Sequence, residues 1–181
     1  VPELQKRGIS FNKFLGDNMK EALFMESNIV KAIIGPVDLN DAATTGLRFD
    51  MKMFDRVTFF IIAAAGTTPS SHTVAFKQHL VASGGTPATL EIENPWFHKV
   101  DTASVFTKVA PSVAAASFDI DAVVGDSKFI VAFEVLAENL NVNSDYRYVS
   151  LDLTDSGGAQ LGTVIAIGHN AVEKPAYTQA V

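Results

Sequence analysis

The sequence predicts an all-β protein: an antiparallel β-sandwich of jelly-roll type, with an extended N-terminal arm containing a short helix and an irregular C-terminal tail. Three observations lead there. Short apolar runs with a two-residue period recur between Ile29 and Gly168. Clusters of Gly, Pro, Asn, Asp and Ser separate them, as turns require. Helical spacing is confined to the first 28 residues. The chain therefore divides into an arm (1–28), a sandwich domain (29–169) and a tail (170–181).

In the arm, "ISFNKFLGDNMKEALFMESN" spaces Phe14, Met19, Leu23 and Phe24 for one helical face. Asp17 is placed to cap a helix over about 18–26, with Glu21 and Glu26 outward. Phe11, Phe14 and Leu15 precede it in a segment too short for a core of its own. In "VKAIIGPVDL", Pro36 cannot donate to a ladder and so marks an edge or a bulge. "DRVTFFIIAAAG" (55–66) is apolar on both faces, which suits a strand buried between layers, and its Val, Phe and Ile favour strand over helix. In "HTVAFKQHLVA" (72–82), Val74, Phe76 and Leu80 fall on one side, Lys77 and His79 on the other. "ATLEIEN" (88–94) alternates Leu90 and Ile92 with Glu91 and Glu93.

Two short strands are expected around 103–109 and 117–123. "KFIVAFEVL" (128–136) sets Phe129, Val131, Phe133 and Val135 on one face, and "YRYVSLDL" (146–153) does so with Val149, Leu151 and Leu153. "QLGTVIAIG" (160–168) places Leu161, Ile165 and Ile167 on its core face. These last two runs are expected to form a hairpin that reverses at Gly157 and Gly158, with Asp152 outward and Asp155 shaping the turn.

Composition narrows the function. The 181 residues suffice for one domain with a substantial core, and 48% hydrophobic against 19% charged residues is not a disordered composition. A net charge of −6 with no basic run argues against nucleic-acid binding. No apolar run reaches the roughly 18 residues of a membrane-spanning helix. The chain has no cysteine, which excludes disulfides and thiolate chemistry. Its start, Val1-Pro2-Glu3, lacks a signal pattern and suits removal of an initiator Met, so the expected home is a bacterial-type cytoplasm or a particle assembled there.

Candidates for chemistry are weak. His72, His79, His98 and His169 form no H-x-x-x-H or H-E-x-x-H pair, and solvent-facing or interface roles are expected for them. Calcium is the better metal candidate, through Asp119, Asp121 and Asp126 or through Asp152 and Asp155, but neither set follows a calcium-loop pattern and turn formation explains both. No G-x-S-x-G elbow, P-loop or G-x-G-x-x-G occurs, and Glu91 with Glu93 reads as a solvated strand face. The expectation is a protein that is not an enzyme and carries no cofactor. Trp96 and Phe97, in "NPWFH", are candidates for either core or contact surface.

Two stretches carry a family resemblance. Residues 28–68 contain Pro36, Val37, Asp38 and Leu39, then Thr45, Gly46, Met51, Lys52, Arg56 and Val57. Residues 154–162 read "TDSGGAQLG". Together they resemble the opening and the ending of small virion proteins of tailed bacteriophages. Asp145 stands where those proteins carry a glycine before an aromatic residue.

The resemblance implies a structural component of the virion head, of decoration (cement) type, binding the outside of the shell and bracing adjacent capsid subunits. Its expected partners are the major capsid protein and copies of itself, as a trimer or other symmetric cluster, with neither nucleic acid nor membrane. Assembly in the host cytoplasm is expected. A tail tube or tail completion protein is the alternative, and a carbohydrate- or receptor-binding module using Trp96, Phe97 and Tyr146 a further one. Phe11, Phe14, Leu15, Trp96, Phe97 and Tyr177 are the expected interface residues, with arm and tail seated on neighbouring chains.

Overall fold

A computed structural model describes residues 24, 28–39, 44–67, 72–93, 95–100, 105–109, 114–154 and 157–171. Most of the arm and the tail, and with them Phe11, Phe14, Leu15, Tyr177 and Asp155, lie outside the described residues. Among the described residues, twelve strands and one short α-helix follow in order, besides two 3-10 turns at Ala137–Asn139 and Val142–Ser144. They are β1 (Ile29–Asp38), β2 (Thr44–Thr45), β3 (Phe49–Asp50), β4 (Phe54–Ala63), β5 (Thr73–His79), β6 (Ala88–Thr89), β7 (Trp96–Lys99), β8 (Thr107–Lys108), β9 (Ser117–Asp119), α1 (Asp121–Val124), β10 (Phe129–Leu136), β11 (Tyr148–Leu153) and β12 (Leu161–Ala171).

The strands form two antiparallel sheets, as the sequence predicts. The first runs β1-β12-β4-β10-β7-β8. The second runs β2-β11-β5-β6, with β3 also on β11 and β9 also on β5. This strand order, rather than a jelly-roll label, describes the connectivity. Between the sheets, alternate residues close the core: Val57, Phe59 and Ile61 of β4 and Phe129, Val131, Phe133 and Val135 of β10 face Val74 and Phe76 of β5 and Val149, Leu151 and Leu153 of β11. Phe76 bridges the layers, with its ring centroid 5.5 Å from Phe59 and 5.1 Å from Phe133. Each such buried aromatic contributes about 1.5–3 kcal/mol through transfer from water.

Four expectations are corrected. The segment 148–168 is not a hairpin: β11 belongs to the second sheet and β12 to the first, so the Ser-Gly-Gly corner is an arch between layers. Gly157 still supplies the left-handed backbone, at φ 75°. The core face of β12 is also the opposite one. Gly162, Val164, Ala166 and Gly168 are buried, while Leu161 is 65% exposed. Large side chains from elsewhere fill the space that small residues leave. A Cβ on Gly162 would meet Leu39 Cδ1 at 2.6 Å, and one on Gly168 would meet Phe49 Cζ at 2.7 Å. Finally, Leu80 lies beyond the end of β5 and is exposed, and the run 88–94 is a strand only at Ala88–Thr89, with an isolated bridge from Ile92 to Ala115.

The resemblance motifs, far apart in sequence, meet in space. Gln160 accepts the Leu39 N–H at its carbonyl (2.8 Å) and donates its own N–H to Asp38 Oδ1 (3.0 Å). Its side-chain amide donates to the Ala64 carbonyl (2.7 Å), and its Oε1 accepts from His72 Nε2. Gly46 sits where the sheets approach each other at one edge. Its N–H donates to the Leu151 carbonyl in the second sheet, and the next N–H, of Leu47, donates to Ile33 in the first. Pro36 lies in the edge strand β1, within the stretch where the register slips between Ile34 and Val37. Thr163 Oγ1 donates to the Ile34 carbonyl that this irregularity frees (2.8 Å). Asp145 adopts the left-handed conformation, φ 61° and ψ 18°, so the turn keeps a glycine-like backbone although the residue has a side chain.

Two stability predictions follow from this backbone. A Cβ at Gly46 would lie 2.5 Å from Ile33 Cγ2 and 2.8 Å from the Leu151 carbonyl, whereas one at Gly35 meets nothing within 4 Å. Gly46→Ala is expected to cost about 1–3 kcal/mol in urea unfolding, and Gly35→Ala to stay within about 0.5 kcal/mol. Replacing Asp145 by Gly removes a left-handed penalty of about 1 kcal/mol and should raise the urea unfolding midpoint.

Candidate interaction surface

The outer faces of the two sheets differ in kind. On the second sheet, Lys77 Nζ pairs with Asp152 Oδ2 at 2.5 Å, Arg147 forks onto Asp50, and the Arg147 guanidinium lies 4.9 Å from the Tyr148 ring centroid. That is the polar solvent face usual for an antiparallel sheet. On the first sheet, register aligns Ala32, Ile165, Phe60, Ala132, Trp96 and Lys108 as one continuous row across all six strands. The neighbouring rows add Val30 and Ile167 on one side and Ile62 and Ile130 on the other. Val30, Ile62, Trp96, Leu136 and Leu161, all on this face, are among the exposed large apolar side chains. A contiguous apolar patch of this kind marks a contact surface more often than a solvent face.

An open groove of about 550 Å³ runs over this face, lined by Phe60, Ala132, Ile167, Trp96 and Phe106, with Phe24 at its wall. Phe106 stacks obliquely on His98, centroid to centroid 5.3 Å. At one rim Arg56 and Glu134 pair at 3.6 Å, both part exposed and so worth little in stability. In the floor, His169 Nε2 lies 2.9 Å from Thr58 Oγ1. Burial pushes the His169 imidazole below the ordinary histidine range; Arg56 adds to this and Glu134 opposes it. Beyond Trp96 lies a smaller cleft of about 220 Å³ with Glu93, Glu138, Asn139 and Lys108 around the indole.

The sequence candidates fall out as follows. Trp96 and Phe97 point to opposite faces of β7: Trp96 is 40% exposed on the outer face, and Phe97 packs against the core. Tyr146 precedes β11 in the other sheet and lines neither cleft. Asp119 accepts the N–H groups of Asp121 and Ala122 at the start of α1, the role of a turn former. Asp152 is held by Lys77. Among the described residues, no three His, Asp or Glu side chains gather as a metal site would require. His72 and His79 are not solvent-facing: they are 2% and 4% exposed, bonded to Gln160 and Ser150. Sequence reasoning missed Phe60, Ile165 and Ile167 as partly exposed residues of the outer face. The signal was present in the apolar character of β4 and β12 on both faces.

No family model and no curated protein matches the chain. Among solved structures, the crystal structure of SPBc2 prophage-derived protein YomS is similar, with a TM-score of 0.44 and 15% identity over 78% of this chain and 91% of that one. A likeness of that degree carries no argument about role.

A pH prediction comes from the buried histidines. Burial also lowers the His79 pKa, with Arg48 adding to the effect. For both His79 and His169 the unfolded chain, near pKa 6.5, takes up protons before the native state does. Stability is therefore fully present above about pH 6.5 and falls on acidification through that value. The urea midpoint should drop between pH 7.5 and 5.5, and the His79→Asn/His169→Asn variant should show a flatter profile over the same range.

Proposed function

We propose that this chain is a non-enzymatic structural protein of a bacteriophage virion, of head-decoration type, which binds the outer surface of the capsid and braces adjacent subunits. The single observation that carries the reading is the apolar outer face of the first sheet beside a polar second one: it fits a protein built to be covered. The sequence resemblance supports it further. Of the motif residues, Gly46 and Gln160 bond across to the second sheet, and Asp38, Leu39 and Gly162 fasten β1 to β12, which is how a shared framework, rather than a shared catalytic centre, behaves. The proposed partners are the major capsid protein and copies of this chain in a symmetric cluster. The bond would be apolar burial at about 25 cal/mol per Å², reduced by the cost of ordering.

A second reading rests on Trp96. Its indole stands among Glu93, Glu138 and Asn139, an aromatic platform ringed by hydrogen-bonding groups, and suits a sugar ring.

Cryo-electron microscopy of the virions that contain the protein tests the first reading. Density for the sandwich on the outer head surface is expected, and density only in the tail overturns it. In co-sedimentation with capsids, Trp96→Ala/Leu161→Asp should weaken binding by about tenfold or more, the scale of a buried aromatic anchor. Glycan-dependent protection of Trp96 without capsid binding would favour the second reading.

A further inference from the structure

We propose that the cleft beyond Trp96 is a subsite for one arginine side chain, presented by the partner that covers the apolar face of the first sheet. The inference rests on the virion reading for who presents the arginine, and on the cleft itself for why it is an arginine.

The cleft arises where one strand outruns its neighbour. β7 pairs with β10 only from Lys99 to Trp96, opposite Phe129 to Ala132. β10 continues to Leu136, so Glu134 and Leu136, on the same face as Ala132, extend past the start of β7. Around the notch stand Glu93 before β7, Lys108 opposite Trp96 in β8, and Glu138 and Asn139 of the 3-10 turn that follows β10.

Charge in the notch is unbalanced. Lys108 Nζ is taken by Glu93 at 2.8 Å, and Arg56 reaches Glu134 at 3.6 Å. Among the described residues, no cation pairs with Glu138 or with Asp55, which joins it around Leu136 in an adjoining hollow. Asn139 Oδ1 already accepts the Leu136 N–H at 2.8 Å. The cleft therefore offers carboxylate oxygens beside a 40% exposed indole.

A guanidinium answers both. It donates through several N–H groups, accepts nothing, and stacks on an aromatic face. Leu136, 37% exposed, gives its alkyl stem an apolar wall. A sugar hydroxyl both donates and accepts, and the donors here are few: the Asn139 amide and an ammonium already engaged. An anion would meet like charge.

Trp96 is the chain's one tryptophan, so its emission reports the cleft directly. N-acetyl-arginine amide, added at constant ionic strength, should shift that emission saturably, with an affinity on the order of millimolar. The uncharged isostere N-acetyl-citrulline amide should not. Glu138→Gln, with unchanged circular dichroism, should weaken the arginine response about threefold, the scale of one exposed ion pair. A saturable response to methyl glucoside but not to the arginine amide would give the cleft to the sugar reading and overturn the proposal. Equal responses to arginine and citrulline, or no saturable response to any of the three, would overturn it too.

Co-sedimentation with capsids separates this proposal from the virion reading. Glu93→Gln/Glu138→Gln should weaken capsid binding at low salt and flatten its salt dependence. Binding that Trp96→Ala/Leu161→Asp weakens but Glu93→Gln/Glu138→Gln leaves unchanged overturns the arginine subsite and keeps the virion reading. A chain that binds no capsids overturns the virion reading, and the arginine titration then decides the subsite by itself.

Discussion

The chain has to cross from one sheet to the other between Leu153 and Leu161, and the side chain and backbone of Gln160 fix where it lands. Four hydrogen bonds leave this one buried residue. They reach the end of β1 through Asp38 and Leu39, the end of β4 through Ala64, and the start of β5 through His72. A buried amide with one of these bonds missing would cost more than the bond is worth, since the group left behind has already lost its water. That asymmetry makes the crossing position all-or-none. Once it is set, β12 enters the first sheet between β1 and β4, and its small residues must face Leu39, Phe49 and Phe54.

The constraint on β12 decides the rest of the first sheet. Gly162 and Gly168 admit large neighbours on the core side, so the volume of the core comes from β1, β3 and β4. The larger residues of β12, Leu161, Ile165 and Ile167, are then directed outward. They join Phe60 and Ile62 of β4 and Trp96 of β7 in the apolar face. The apolar outer face is thus a consequence of how the core is filled, and the two cannot be altered independently.

The long strands were legible in the sequence because their alternation is strong. In β10 and β11 one side carries an unbroken set of large apolar residues, Phe129, Val131, Phe133 and Val135 in the one and Val149, Leu151 and Leu153 in the other, while the opposite side mixes in Glu134, Ser150 and Asp152, and the core face follows. In β12 both sides are apolar, so alternation gives the strand but not its direction. Choosing the larger residues as core is then a choice by size, and size is misleading where glycines receive side chains from other strands. The supposed hairpin failed for a related reason. Adjacent glycines announce a reversal of the chain, but a reversal within a sheet and an arch between sheets use the same local conformation. Only the partners of Gln160, up to 122 residues away, distinguish them. For Trp96 and Phe97, strand alternation required opposite fates, and neither composition nor a neighbouring proline could tell which went inward.

The irregular course of β1 has a consequence for how copies of this protein can associate. A sheet margin with a regular row of free N–H and C=O groups invites another strand, and then another, without limit. Here the margin is interrupted by two register slips, by a proline that has no hydrogen to offer, and by a carbonyl already taken by Thr163. The opposite margin is the two-residue β8. Among the described residues, the first sheet therefore offers no long regular margin to an added strand at either end.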